Sequence, residues 1–118
     1  MKKVLVVDDA VFMRMRCKKL LVENGFEVSE ATTGAEAVAL YQQSPFDVVL
    51  MDITMPEMDG IAAVRKLISI DPSVKVVMVT AMGQQAMVME AIKAGAKDFV
   101  VKPFDSGRVL AAVNKLMN

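Results

Sequence analysis

Five short runs of apolar residues recur along the chain, and a segment long enough for a helix follows each of them. The runs are rich in valine, which is typical of strands that are covered on both faces of a sheet. The second run contains Ser29 and Glu30, so we expect it at an edge of the sheet. The predicted strands cover residues 4–7, 28–31, 48–51, 76–79 and 99–101.

Glycines and capping side chains divide the intervening segments into five predicted helices. The first has one apolar face at helical spacing and stops at Gly25, a residue that favours helix ends. That face consists of Met13, Cys17, Leu20 and Leu21. The expected helices cover about residues 11–24, 34–41 after Thr32 or Thr33 as the cap, 60–69, 84–94, and 106 onward after Asp105 or Ser106 as the cap.

A strand followed by a helix, repeated five times, is the pattern of an α/β protein. It predicts a doubly wound fold, which is a parallel sheet with right-handed crossovers and helices on both faces. The length of 118 residues suits one domain, and no linker or low-complexity tract interrupts it. We therefore expect residues 1–118 to form one domain around one open sheet.

Polar residues follow four of the five predicted strands. In an open parallel sheet the carboxyl ends of the strands lie along one edge, and ligands bind there. Any one of these residues is consistent with a strand that simply reaches solvent. Three carboxylates, a hydroxyl and an ammonium on one edge are better explained by a functional site. The residues are Asp8 and Asp9 after the first strand, Asp52 after the third, Thr80 after the fourth and Lys102 after the fifth.

The charges of this predicted site indicate phosphoryl chemistry with a metal ion. Three carboxylates in one crevice repel one another unless a cation lies among them, and Asp8, Asp9 and Asp52 suit Mg²⁺. Lys102 can pair with a phosphate oxygen, or with Asp52 when phosphate is absent. Asp52 is the best candidate for a covalent nucleophile, which would form an acyl phosphate. Pro103 takes Lys102 out of helical geometry, and the sequence leaves the isomer of that peptide bond open.

The composition excludes several other kinds of site. Fourteen Lys and Arg balance fourteen Asp and Glu, so no net positive charge favours nucleic acid. The chain has no histidine, which rules out a Ser-His-Asp triad, a histidine zinc site and a histidine phosphodonor. The lone Cys17 is expected to be a small buried helix residue. No apolar run is long enough for a membrane span or a signal peptide, so we expect a soluble, cytoplasmic protein.

Several motifs of the chain occur together in one known family. They are Asp8-Asp9, Asp52 with Pro56 and Gly60, Thr80-Ala81, and Lys102-Pro103-Phe104. As a set, and over the whole chain, they resemble the receiver domains of bacterial two-component response regulators. Residues 12–14, 80–85 and 94–99 further resemble the chemotaxis regulators of this family.

The resemblance implies a fold and a role for each residue of the predicted edge. The fold is flavodoxin-like, with five helices and the strand order 2-1-3-4-5. A histidine kinase would donate the phosphoryl group, self-dephosphorylation would be slow, and a separate phosphatase could act. The implied roles are phosphoacceptor for Asp52, Mg²⁺ ligand for Asp8, Asp9, Asp52 and the backbone carbonyl of Thr54, phosphate-binding lysine for Lys102, switch hydroxyl for Thr80, and aromatic switch for Phe99.

The predicted fourth helix carries a candidate output surface. Met87 and Met89 lie two positions apart, so the helix cannot bury both of them. Together with Val88 they predict exposed apolar surface of the adaptable kind that suits a docking partner. Scattered apolar residues are also ordinary on protein surfaces, so this reading stays open. By the resemblance, the surface also includes the fifth strand, with Phe99, and the last helix.

Four functions are compatible with these residues. The resemblance favours a freestanding, monomeric regulator that has no output domain after its fifth helix and binds a partner, the flagellar motor switch in chemotaxis. The same domain could instead pass its phosphate to a histidine protein in a phosphorelay, or be cut from a longer DNA-binding regulator. A Mg²⁺-dependent phosphohydrolase shares the nucleophile, but such enzymes place a second acid where this chain has Thr54.

Overall fold

Strands and helices alternate through the residues that the computed structural model describes, which are 2–53, 55, 58–81, 84–102 and 105–117. Their order is the one that the apolar pattern predicts. The strands are β1 (Lys3–Val7), β2 (Glu27–Ala31), β3 (Val48–Asp52), β4 (Val76–Ala81) and β5 (Asp98–Lys102). The helices are α1 (Val11–Glu23), α2 (Gly34–Gln43), α3 (Gly60–Ile70), α4 (Gln85–Ala94) and α5 (Ser106–Met117).

The strands form one parallel sheet in the order β2-β1-β3-β4-β5. β1 pairs with β2 and β3, and β4 pairs with β3 and β5, all in parallel. The doubly wound, flavodoxin-like sheet is therefore confirmed, and the polar second strand lies at an edge as expected. The direction of winding changes between β1 and β3, and folds of this kind bind ligands in the crevice beyond the carboxyl ends of such a pair.

Alternate side chains of the inner strands face opposite layers of helices. In β1, Leu5 and Val7 pack in the cluster that includes α2, α3 and α4. Val4 and Val6 of the same strand pack in the cluster that includes α1 and α5. β3 and β4 divide their side chains between the two layers in the same way. Both faces are buried, which is why the valine-rich runs show no alternation with polar residues.

The ends of the helices follow local capping chemistry. The side chains of Thr33 and Asp105 accept the backbone N–H three residues further on, at 3.1 and 2.7 Å, so these two residues are the caps. α1 ends at Glu23 with Asn24 as its C-cap, and Gly25 follows in the left-handed conformation at φ 88°. Within the described ranges, no helix is both long enough and apolar enough to cross a membrane.

Cys17 lies in the core on the α1 side of the sheet, as expected. Burial raises the pKa of its thiol to about 11, and the nearby carboxylate of Asp8 acts in the same direction. The thiolate is therefore scarce at neutral pH, and Cys17 is a packing residue.

Candidate functional site

An acidic crevice lies beyond the carboxyl ends of β1 and β3. Asp8 follows β1 directly, and Asp52 is the last residue of β3. One carboxylate oxygen from each of Asp8, Asp9 and Asp52 lies within 4.8 Å of the other two. Asp8 and Asp52 are only 5% and 8% exposed, whereas Asp9 is exposed at the rim. The structure thus brings together the three carboxylates that the sequence placed on one edge.

Lys102, at the end of the edge strand β5, reaches into this crevice. Its Nζ donates to Oδ2 of Asp8 at 3.2 Å and lies 3.5 Å from Oδ1 of Asp52. Burial alone would lower the pKa of Lys102, but the carboxylates of Asp52 and Asp8 outweigh it and raise the pKa above its ordinary value. The lysine is therefore a firmly charged cation, paired with Asp52 in the phosphate-free protein as the sequence predicted.

The charge balance of the crevice acts most strongly on Asp52. Burial, followed by repulsion from Asp8, raises the pKa of Asp52 to about 6, although Lys102 acts in the opposite direction. The group is still an anion at neutral pH, and a more basic one than an exposed aspartate. With three carboxylates and one ammonium, the crevice carries a net negative charge. It can therefore attract a cation and offer a carboxylate nucleophile.

The donor set fits a Mg²⁺ ion. Mg²⁺ is bound through a few carboxylates and completes its octahedron with waters, carbonyls or phosphate oxygens. The oxygens of Asp8, Asp9 and Asp52 are close enough to share one ion, and the exposed Asp9 leaves room for water. The further ligand predicted from the sequence, the carbonyl of Thr54, lies outside the described residues. So do Pro56 and the Pro103-Phe104 pair, and with them the isomer of the Lys102–Pro103 bond.

Hydrogen bonds to the β1–α1 loop set the direction of Asp8. The N–H of Ala10 donates to Oδ1 of Asp8 at 2.8 Å, and Nη1 of Arg14 donates to the Asp8 carbonyl at 2.9 Å. Nε of Arg14 pairs with Glu30 at the end of β2, at 3.2 Å. Sequence reasoning assigned no role to Arg14. An arginine in the first turns of a helix that follows an acidic pair is the signal that would have found it.

A close approach of two backbones explains Gly60, the first residue of α3. Its N–H donates to the carbonyl of Ile53 at 2.7 Å. A Cβ at this position would collide with the carbonyl oxygen of Asp52 and lie 2.8 Å from Cα of Ile53. Only glycine allows the chain to turn back this closely on the end of β3. Gly60 therefore helps to position the residue that ends this strand, Asp52.

Thr80 lies at the same edge, but its hydroxyl points to a partner outside the crevice. β4 extends one residue beyond Thr80, to Ala81, so Thr80 is not the end of the strand as expected. Oγ1 of Thr80 donates to Oε1 of Gln84 at 2.7 Å, and the N–H of Ala81 donates to the same oxygen at 2.7 Å. Sequence reasoning missed Gln84. A long polar side chain four residues after a hydroxyl near a strand end is the signal that could have found it.

The predicted output residues divide between core and surface. Met89 is 61% exposed and Met87 packs against the core, so the expectation that the two diverge is confirmed. The expectation that Val88 adds exposed surface is wrong. Val88 is buried, because it shares with Ala91 the face of α4 that meets the sheet. Phe99 is 38% exposed, on β5.

A cavity of about 420 Å³ lies between α4 and the edge of the sheet. Its wall is mainly apolar, and Thr80 and Gln84 contribute polar side chains to it. Thr80, which lies at the same edge of the sheet as the acidic crevice, thus lines one cavity together with the exposed Met89 of α4. Its lining includes Thr80, Ala81, Gln84, Val88, Met89, Phe99 and Val101.

Comparison with known proteins agrees with this geometry. Residues 4–114 match the family model of the response regulator receiver domain. The chain is 57% identical to the chemotaxis protein CheY of Bacillus subtilis (strain 168), over 98% of each chain. It is 58% identical to CheY of Thermotoga maritima, over 98% of this chain and 97% of the relative.

Solved structures show the same likeness in three dimensions. A chain in the crystal structure of the CheX-CheY-BeF3-Mg²⁺ complex from Borrelia burgdorferi superposes with a TM-score of 0.92. The identity is 36%, and the match covers 99% of this chain and 90% of that one. Because the family model covers residues 4–114 and both the sequence relatives and the solved fold agree with it, the chain belongs to the response regulator receiver domain family.

Proposed function

We propose that this receiver domain is a switch in which Asp52 accepts a phosphoryl group from a separate histidine kinase. The observation that carries the proposal is the contact of the buried Asp52 with Lys102 in a crevice shared with Asp8. An oxygen of Asp52 attacks the phosphorus of a phosphohistidine, and an O–P bond forms as the P–N bond breaks. The imidazole leaves with the electron pair and takes a proton from solvent, and Asp52 becomes an acyl phosphate.

The neighbours of Asp52 have distinct tasks in this step. Lys102 exchanges its carboxylate partners for a phosphoryl oxygen, which it can reach because its Nζ already lies 3.5 Å from Asp52. Asp8, Asp9 and Asp52, with the Thr54 carbonyl, would hold Mg²⁺. Bound there, Mg²⁺ supplies positive charge that offsets repulsion between the carboxylates and the phosphoryl oxygens.

The signal then passes from the crevice to the face of α4 and β5. The hydroxyl of Thr80 turns toward a phosphoryl oxygen, and the space that it leaves in the cavity admits the half-exposed ring of Phe99. This is a shift in population between two packings, driven by the contacts that the phosphoryl group makes in one of them. The surface around Met89 then binds a partner more tightly.

We infer that the partner is the flagellar motor switch, in the cytoplasm, with the regulator acting as a monomer. The support is the 54–58% identity to four chemotaxis proteins. The Borrelia structure, in which CheY is in complex with CheX, supports a second partner protein besides the motor switch, and we infer that such a partner acts as a phosphatase. Slow loss of phosphate without such a phosphatase is part of the proposal.

The phosphoacceptor role is tested by intact mass after incubation with acetyl phosphate and Mg²⁺. We expect one labile phosphoryl group on the wild type, none on Asp52→Asn, and one on the control Asp59→Asn. Asp59 caps α3 outside the crevice, and asparagine keeps that cap. A phosphoryl group on Asp52→Asn, or none on the wild type under any metal condition, would contradict the proposal.

The output face is tested by binding of the purified motor switch protein in the presence of BeF3⁻ and Mg²⁺. Met89→Glu should weaken binding at least tenfold, whereas Met15→Glu, an equally exposed methionine on α1, should not. Equal effects of both changes would place the partner elsewhere. Transfer of the phosphoryl group to a histidine phosphotransfer protein, with no motor binding, would favour a phosphorelay, and fast turnover of small phosphoesters would favour a hydrolase.

A further inference from the structure

Gln84 holds the hydroxyl of Thr80 in the protein without phosphate. Oε1 of Gln84 lies 2.7 Å from Oγ1 of Thr80 and 2.7 Å from the backbone nitrogen of Ala81. A backbone N–H can only donate, so the side-chain atom that faces Ala81 must be the carbonyl oxygen and not the amide nitrogen. The same oxygen therefore accepts from Thr80, whose hydroxyl proton points to Gln84.

A hydroxyl has one proton, and Thr80 cannot donate it to two acceptors at once. We propose that Gln84 is a positioning residue that competes with the phosphoryl group for the hydroxyl of Thr80 and so stabilises the resting state. The inference rests on the proposed function, in which Thr80 turns toward phosphorylated Asp52. Every phosphorylation event must then break the Thr80–Gln84 bond before the switch is complete.

The position of Gln84 makes this competition effective. Thr80 is only 2% exposed, so little water is available to replace Gln84 as the acceptor. The other acceptor within reach, the carbonyl oxygen of Ala81, lies 3.2 Å from Oγ1 of Thr80, whereas Oε1 of Gln84 lies at 2.7 Å and makes the shorter bond. Gln84 is itself held in place, because its amide lies 3.8 Å from Sδ of Met87 and its backbone carbonyl accepts from the N–H of Val88 at 3.0 Å. The side chain therefore ties the end of β4 to the first turn of α4.

This tie links the phosphoacceptor crevice to the output helix. When Thr80 leaves Gln84, a hydrogen bond that joins the end of β4 to the start of α4 is lost. α4 carries the exposed Met89 and lines the cavity beside Phe99. Release of Thr80 thus loosens the helix on which the partner surface lies, which is a physical route from the crevice to that surface.

Removing the acceptor should favour the switched state. Gln84→Met keeps the length of the side chain and removes the oxygen, so BeF3⁻ with Mg²⁺ should bind about three- to tenfold more tightly, the value of one hydrogen bond. Gln84→Glu keeps an acceptor oxygen and should bind no more tightly than the wild type. Gln42→Met, the same change at an exposed position of α2, is the control and should leave the affinity unchanged.

A double-mutant cycle shows whether Gln84 acts through Thr80. Thr80→Val removes the hydroxyl and nearly preserves its shape. If Gln84 competes for that hydroxyl, Gln84→Met should no longer raise the affinity in a Thr80→Val background. A gain that persists there would mean that Gln84 acts by loosening the β4–α4 loop, and it would overturn the inference.

The measurement is a titration of each variant with BeF3⁻ at saturating Mg²⁺, followed by ¹⁹F NMR of the bound fluoride. In metal-free protein, the ¹H–¹⁵N shift of Ala81 should move upfield in Gln84→Met and stay near that of the wild type in Gln84→Glu. If Gln84→Met binds no more tightly than a wild type that does bind, the inference fails and the phosphoacceptor role stands. If the wild type shows no bound fluoride, the proposed function itself fails, and the inference with it.

Should Gln84→Met prove poorly folded, Gln84→Ala removes the same acceptor with a smaller apolar side chain. We expect the same direction of change in affinity and in the Ala81 shift. Thermal unfolding of each variant, recorded before the titration, separates a loss of fold from a change in the switch. A folded Gln84→Ala that leaves the Ala81 shift unchanged would also overturn the inference.

Discussion

Replacing Asp52 with asparagine should make the metal-free protein more stable, although it removes the phosphoacceptor. The pKa of Asp52 is raised from 3.8 to about 6, first by burial and then by the carboxylate of Asp8. Between these two values the folded protein binds a proton more tightly than the unfolded chain does. The free energy of unfolding of the wild type therefore falls as the pH rises through this window, and it stays low above it.

The size of the effect follows from the pKa difference. The whole difference between a pKa of 3.8 and one of about 6 corresponds to ~3 kcal/mol of unfolding free energy. Solvent reaches the crevice past the exposed Asp9 and screens part of the repulsion, so we expect about 1–2 kcal/mol at neutral pH. That is a rise in Tm of roughly 5–10 °C for a domain of this size. Asparagine keeps the shape of the side chain, and Lys102 keeps its ion pair with Asp8 at 3.2 Å.

Urea unfolding followed by circular dichroism measures this difference, since the chain has no tryptophan and one tyrosine. In a chelator, the advantage of Asp52→Asn should be small near pH 4, grow with pH and level off above about pH 6.5. Added Mg²⁺ should reduce this advantage, because the ion binds the folded wild type more tightly than it binds the folded variant. Asp59→Asn, which keeps the cap of α3, is the matched control and should not make the protein more stable at pH 7. A variant less stable than the wild type at pH 7, or a difference independent of pH, would refute the reasoning.

Three further predictions concern the stability of the fold and the titration of two buried side chains. Gly60→Ala should lower the free energy of unfolding by about 2–3 kcal/mol, because its Cβ meets the backbone at the end of β3. Gly107→Ala, at an exposed position of α5, should change it by less than ~1 kcal/mol, and equal losses in urea unfolding would contradict this. Cys17 should react with Ellman's reagent much more slowly in the folded protein than in urea, since burial raises its pKa to about 11. The Tyr41 hydroxyl, which is buried and donates to Asp71 at 2.6 Å, should ionise only as the protein unfolds in an alkaline ultraviolet titration, because both features raise its pKa. Ionisation of native Tyr41 near pH 10 would contradict that prediction.

Much of the fold could be predicted because local features of the sequence determine its strands and the ends of its helices. The two-sided burial of valine-rich strands is visible in the sequence, and so are the stop signals. Gly25 and Gly95 take positive φ values of 88° and 126° at the ends of α1 and α4, which favours glycine. Strand order is different, because alternation of strands and helices does not by itself choose among the orders that a doubly wound sheet allows. The order 2-1-3-4-5 was predicted from resemblance alone.

The exposed surface of α4 could be predicted only in part from the local sequence pattern. Periodicity indicates that Met87 and Met89 point in different directions, and this holds in the structure. It does not indicate which side of so short a helix meets the sheet, because both sides carry apolar residues. The packing of Val88 and Ala91 against the core settled that question, and it moved Val88 from the predicted surface into the interior.

The sequence by itself determined which chemical groups follow the strands: three carboxylates, a threonine hydroxyl and a lysine. This works because the carboxyl ends of parallel strands share an edge, whatever their order. The sequence also indicated that Lys102 pairs with Asp52 when phosphate is absent, but only the tertiary structure decided that Asp8 shares Lys102 and that Gln84 holds the hydroxyl of Thr80. Pairing depends on distances between side chains that are brought together by packing, and hydrogen bonds of that kind leave no periodic trace along the chain.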